Sequence, residues 1–123
     1  MATRFNFVKV PTINLASQLA FYEAAFGFAR YADFDGDALE EILMRQEGSD
    51  FLLVLMRFKQ GMPAGAQSAI GTIGFVTEDI DAALQRALEG GATIKQPMFE
   101  VEGTKVALVD DPEGNEIEFV QFG

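Results

Sequence analysis

The chain has 123 residues, 49% of them hydrophobic, and a formal net charge of −10 with a pI near 4.3. That length suits one globular domain, and the charge repels nucleic acid and anionic membrane surfaces while permitting a cationic or neutral small molecule. Cysteine and histidine are both absent, which excludes disulfides, thiol nucleophiles, thiolate and imidazole metal ligands and the usual general base near neutral pH.

In chain order, MATRFNFVKVPTIN carries no long apolar segment, and no apolar run approaches the ~20 residues that span a bilayer, so a cytoplasmic location is expected. FNFVKV reads as a strand. In NLASQLAFYEAAFGF, Leu15, Leu19, Tyr22 and Phe26 recur at helical spacing, Asn14 is suited to cap the start and Gly27 to end it. Tyr22, on the apolar stripe, is expected in the core. FARYADF, EEILMRQ and DFLLVLMRF follow as three strands, separated by turn signals at Asp35-Gly36-Asp37 and Gly48-Ser49-Asp50.

After the loop KQGMPAGAQS the pattern restarts. IGTIGFV is a strand, and DIDAALQRALEGG places Ile80, Leu84, Ala87 and Leu88 on one helical stripe, with Glu78, Asp79 and Asp81 at the end where the helix dipole favours acids. ATIKQP, KVALVD and EIEFVQF complete a second βαβββ unit. The copies are 65 positions apart: Asn14 maps to Asp79, Leu15 to Ile80, Leu19 to Leu84, and Ser49-Asp50 to Gly114-Asn115. The expected organisation is a first module over about 4–58, a linker over 59–68 and a second module over about 69–122.

Alternation along the last strand points Ile117 and Phe119 one way and Glu116, Glu118, Val120 and Phe122 the other. DFLLVLMRF is apolar on both faces, with Leu52, Val54 and Met56 opposite Leu53 and Leu55. One helix per module covers only one side of a sheet. The other side must enclose a cavity, pack on the other module or form a dimer interface.

The two βαβββ modules, with LASQLAFYEAAFGF after the first strand and DDPEGNEIEFVQF as the last turn and strand, resemble the vicinal-oxygen-chelate superfamily, which contains glyoxalases, bleomycin resistance proteins and extradiol dioxygenases. The resemblance covers nearly the whole chain and implies an α+β fold with curved mixed sheets around a cavity. It hosts unrelated chemistries, so it does not fix a function. In metal-dependent members of this family, ligands come from the first and last strands of each module. Carried over, those positions are Phe7, Leu53, Thr72 and Glu118, of which only Glu118 matches the ligand pattern. A hydroxyl and one carboxylate fall short of the oxygen set a hard cation prefers, so no metal and no cofactor are expected.

The resemblance surrounds Glu118 with Phe7, Leu53, Leu55, Thr72 and Val120, and such surroundings disfavour its charged form unless a cation or donor sits nearby. It would hold a cationic ligand, act as a general base on an acidic C–H, or donate a hydrogen bond while protonated; the alternative is a remnant acid paired with Arg45 or Lys105. Met98 and Phe99, in the loop KQPMFEVEG, are expected to cover the cavity mouth or to be buried in a turn. Met44, Met56 and Met62 are adaptable lining or core filler. Turn chemistry accounts for Pro112, Gly114 and Asn115 after Asp110 and Asp111.

Two functions are expected to compete. One is a metal-free binding protein, like the bleomycin resistance proteins, that sequesters an apolar or cationic compound. The other is a glyoxalase-like lyase or isomerase with Glu118 as base, for which only Thr72, Arg45 or backbone N–H groups are visible as oxyanion donors. A symmetric homodimer is expected to close the open sheet faces.

Overall fold

The computed structural model describes residues 4–66 and 71–123; positions 67–68 of the expected linker and 69–70 of the expected second module lie outside the described residues. The order is β1 (Phe7–Pro11), α1 (Leu15–Phe26), β2 (Ala29–Asp35), β3 (Leu39–Arg45) and β4 (Leu52–Phe58). It repeats as β5 (Ile73–Val76), α2 (Ile80–Gly90), β6 (Thr93–Val101), β7 (Thr104–Asp110) and β8 (Glu116–Gln121). Two four-stranded mixed sheets result, ordered β1-β4-β3-β2 and β5-β8-β7-β6. The α+β duplication read from the sequence is the fold.

Both helices begin and end as their sequences dictate. The Asn14 side chain accepts from Ser17 N at 3.0 Å and the Asp79 side chain from Ala82 N at 3.1 Å, each satisfying an amide that the helix cannot. Gly27 adopts φ 69°, a left-handed conformation costly for other residues, and this lets the N–H groups of Gly27 and Phe28 reach the carbonyls of Glu23 and Tyr22.

The buried side of α1 differs from the expected stripe. Gln18, Phe21, Tyr22 and Ala25 are buried, whereas Leu15, Leu19 and Phe26 pack only partly against the core. Apolar residues run round most of this helix, so periodicity alone does not choose a face. A polar contact does. Asp111, 3% exposed in the turn between β7 and β8, accepts from Gln18 Nε2 at 3.0 Å and from the Tyr22 hydroxyl at 2.8 Å. It also accepts from the amides of Glu113 and Asn115 and from Asn115 Nδ2, at 2.8, 2.9 and 2.8 Å. Five donors satisfy one buried carboxylate without a cation. Two residues on, the Glu113 carboxylate accepts from Ile13 N and Asn14 N, both at 2.8 Å, at the positive end of α1. A turn of the second module therefore seats the helix of the first.

Around this clamp the helices pack on each other, α1 over β4 and α2 over β7 and β8. Phe26 at the end of α1 stacks on Phe75 of β5 at 4.1 Å and on Phe119 of β8 at 5.8 Å between ring centroids. Val10, Leu53, Leu55, Val109, Ile117 and Phe119 fill the core from the strands. The helix-facing sides of both sheets thus share one core, and neither opposite side receives a helix. Among the described residues no helix is long and apolar enough to cross a membrane.

Replacing Asp111 with Asn turns an amide toward three donors, from Gln18, Tyr22 and Asn115, and is expected to lower unfolding free energy by roughly 3 kcal/mol in a denaturant titration. Burial first, and then the Asp111 charge, raise the Tyr22 phenol above its ordinary value near 10. The folded state therefore keeps that proton to higher pH than the unfolded state. The stability linked to it is complete below about pH 10 and is lost as pH rises beyond. Tyr22→Phe should flatten the fall in denaturation midpoint above about pH 10, at the expense of the Asp111 bond at neutral pH.

Candidate functional site: the two uncovered sheet faces

Strand register decides which side chains stand on the uncovered faces. In the first sheet Phe7 pairs with Leu52 and Lys9 with Val54, while Val8 and Val10 pair with the buried Leu53 and Leu55. Antiparallel pairing adds Arg45 opposite Leu52, Leu43 opposite Val54 and Glu41 opposite Met56. In the second sheet Gly74 pairs with Glu118 and Val76 with Val120, and β7 adds Leu108 beside Glu118 and Val106 beside Val120. Most of both faces is hydrocarbon.

This corrects two expected site residues. Leu53 and Leu55 stand on the helix side of the first sheet and not on its uncovered face; Leu53, at 2% exposure, only borders a small cavity between the modules, beside Val8, Phe28, Ile73 and Phe75. Val8 pairs with Leu53, but Ile73, its repeat partner, pairs with Ile117, which lies 64 positions after Leu53 and not 65. One residue of difference flips a strand's faces. The counterpart of Glu118 is consequently Val54, in the row Lys9–Val54–Leu43 that matches Gly74–Glu118–Leu108.

Val54 is 3% exposed yet stands outside the core cluster. Lys9 on β1 and Glu41 on β3 flank β4, and their 2.8 Å ion pair crosses above it, which explains the cover. The second sheet carries a similar bridge. Lys95 Nζ lies 3.0 Å from Glu116 and 3.8 Å from Asp110, and the Thr72 hydroxyl donates to the other Glu116 oxygen. The Thr72 bond first, and Lys95 second, hold the Glu116 carboxyl below the usual carboxylate range, and the bond to Glu116 raises the Lys95 ammonium. Both groups are charged at neutral pH.

Glu118 has no such partner. It is half-buried, and its carboxylate has no hydrogen bond or ion pair among the described residues. Lys105 aligns with Gln121, on the helix side of the sheet, and so cannot reach it. Arg45 belongs to the other sheet, where its guanidinium lies 4.2 Å over the Tyr31 ring. Thr72 is already engaged, which removes it as a ready oxyanion donor.

The other expected site residues divide. Phe7, 51% exposed, Thr72 and Val120 lie on the uncovered sides. Met98 and Phe99 form no loop: β6 runs unbroken through them to Val101, with register shifts between Ile94 and Gln96 and between Gln96 and Phe99. Phe99 pairs with Val106 and so joins the open face as part of an edge strand, not as a lid. Pro97 explains why that strand was read short, since a residue without an N–H survives only at an edge or bulge. Val54, Leu43, Leu108 and Lys95 were missed. Hairpin register would have found the first three; the bulges in β6 hid Lys95 from simple alternation.

The residues at the family's metal-ligand positions do not fit a metal. Phe7 and Val54 offer no lone pair, Thr72 is bound to Glu116, and a single carboxylate is left. Among the described residues no group of three or more His, Cys, Asp or Glu is placed to hold an ion.

The sequence profile of the Glyoxalase/Bleomycin resistance protein/Dioxygenase superfamily matches residues 4–119. Among solved structures, TnmS3, an antibiotic binding protein from Streptomyces sp. CB03234, is 26% identical with a TM-score of 0.77, over 99% of this chain and 98% of that one. A glyoxalase family protein from Bacillus cereus is 20% identical with a TM-score of 0.83, over 100% and 97% of the two chains. A glyoxalase I mutant from Zea mays is 20% identical with a TM-score of 0.80; the match covers 94% of this chain but 45% of the maize chain, so the present chain spans under half its length. No curated protein matches.

A Cβ at Gly74 would meet nothing within 4 Å. Gly74→Val should therefore fold as well as the parent while crowding the row that holds Glu118. The expected result is an unchanged melting temperature by scanning calorimetry, since the branched side chain suits a strand and has open space to enter.

Proposed function

The chain belongs to the Glyoxalase/Bleomycin resistance protein/Dioxygenase superfamily, and on that premise we propose that it is a metal-independent protein that binds a small apolar or cationic compound on its uncovered sheet faces, closed over by a second copy. The lone carboxylate of Glu118 on a hydrocarbon face supports this most directly. Apolar ligand surface gains about 25 cal/mol per Å² on leaving water, and an unpaired acid in such a place gives one point of polar selection. A net charge of −10 draws cations toward the chain. The likeness to TnmS3, an antibiotic binding protein, agrees with sequestration and extends over both chains.

Catalysis makes a further demand. Glu118 as a base on an acidic C–H needs a donor for the developing oxyanion, and the cation on the same face of its sheet, Lys95, is held by Glu116 and Asp110. Binding makes no such demand.

A thermal-shift panel of antibiotics, aromatic amines and neutral aromatics tests the reading, because a ligand specific to the folded state raises the melting temperature. At least one aromatic compound should give a shift of several degrees in metal-free buffer. Glu118→Gln should weaken cationic compounds about tenfold relative to neutral ones, the loss expected of one charge interaction. Turnover by the parent that vanishes in Glu118→Gln would favour the lyase instead, and stoichiometric metal in the purified protein would contradict the ligand chemistry outright.

A further inference from the structure

β1 and β5 are each the outer strand of a sheet, and no ladder joins them among the described residues, because the modules meet instead through their helices and the Phe26–Phe75 stack. That leaves a crevice of about 120 Å³ between the modules. Val8 of β1 and Ile73 of β5 line it, and half-buried Phe28 and Phe75 with the buried Leu53 close its inner end. A wider space of about 250 Å³ adjoins it, sharing Val8 and Ile73, and reaches out to Phe5, which is 83% exposed; the crevice therefore has an entrance. Its polar lining is Gln46 and Ser49, from the turn between β3 and β4. Both have capacity to spare. Gln46 Nε2 donates to the Phe26 carbonyl at 3.0 Å, which fixes the side chain, while its own carbonyl oxygen has no donor among the described residues. The Ser49 oxygen accepts from Phe51 N at 3.1 Å, and its proton has no acceptor there.

We propose that this crevice is a second ligand site, apart from the uncovered faces, and that it seats one aromatic ring bearing a hydroxyl, a phenol. An apolar cavity of about 150 Å³ holds a benzene ring. A space of about 120 Å³ with an open end therefore suits a single ring and excludes a fused pair. Phe28 and Phe75, edge to face with 6.2 Å between ring centroids, present aromatic surface to it. A phenol hydroxyl both donates and accepts, which matches the carbonyl oxygen of Gln46 and the proton of Ser49. A ring without the hydroxyl takes water from both groups and returns no bond, so the site discriminates against it. No charged side chain lines the crevice, and its selection is thus for a neutral ligand where Glu118 selects a cation.

The test is a fluorine NMR titration of the full chain with 4-fluorophenol and, separately, fluorobenzene. The parent should bind 4-fluorophenol saturably and about tenfold more tightly than fluorobenzene. Val8→Phe and Ile73→Phe, which fill the crevice from opposite strands, should each weaken 4-fluorophenol at least tenfold, with circular dichroism to show which of them is folded. Ser49→Ala should abolish the preference over fluorobenzene and Ser49→Thr, which keeps the hydroxyl, should retain it. Methyl signals of Val8, Leu53 and Ile73 should move with 4-fluorophenol while those of Leu43, Leu108 and Val120 stay in place. No saturable binding by the parent, equal affinity for fluorobenzene, or a folded filled variant that binds like the parent would overturn the site and leave the reading of the uncovered faces untouched. Movement of Leu43, Leu108 and Val120 alone would assign the phenol to those faces and equally overturn it.

Discussion

The arrangement of this molecule hangs on one buried carboxylate. Asp111 gathers five hydrogen bonds, two of them from α1, and beside it Glu113 closes the first amides of that helix. A desolvated acid held without a cation is tolerable only when its lone pairs are fully met, and here they are met by groups from both modules. The helix of the first module has one seat. With α1 fixed on the second module's turn, α2 packs beside it and the aromatic rings of Phe26, Phe75 and Phe119 close the core.

That choice has a consequence for everything outside the core. Both helices are spent on one side of the sheets, so Leu43, Leu52, Leu108 and Val120 are left at the surface of the chain with little polar cover. The ion pairs Lys9–Glu41 and Lys95–Glu116 each span a strand and neutralise charges that hydrocarbon would otherwise oppose. What stays unneutralised is small and specific. Exposed apolar faces of this extent commonly mark surfaces that bind a ligand or a partner.

Much of this was legible in the sequence, and the failures have physical causes. Capping residues Asn14, Gly27, Asp79 and Gly91 fixed both helices, since local backbone demands are met by local side chains. The repeat read from Asn14–Asp79 and Leu15–Ile80 gave the duplicated architecture. The face of α1 was not legible, because Gln18 is buried for the sake of a partner 93 residues away. Asp111 was read as ordinary turn chemistry for the same reason. The site was half legible: alternation placed Glu118 and Val120 correctly, but carrying a 65-residue offset into β4 chose Leu53 over Val54. Sheets set register by pairing, and one residue's difference between the modules was enough to turn that strand over.

Methyl resonances discriminate between adjacent residues on one strand and so test most directly whether the uncovered faces are the working surface. On titration with coumarin, a neutral flat aromatic, the methyl signals of Leu43, Val54, Leu108 and Val120 should move, while those of Leu53, Leu55, Val109 and Ile117 stay in place. Movement confined to the second group, or to the leucines of α1 and α2, would mean that ligands enter the helix side and that the bare faces are not the site.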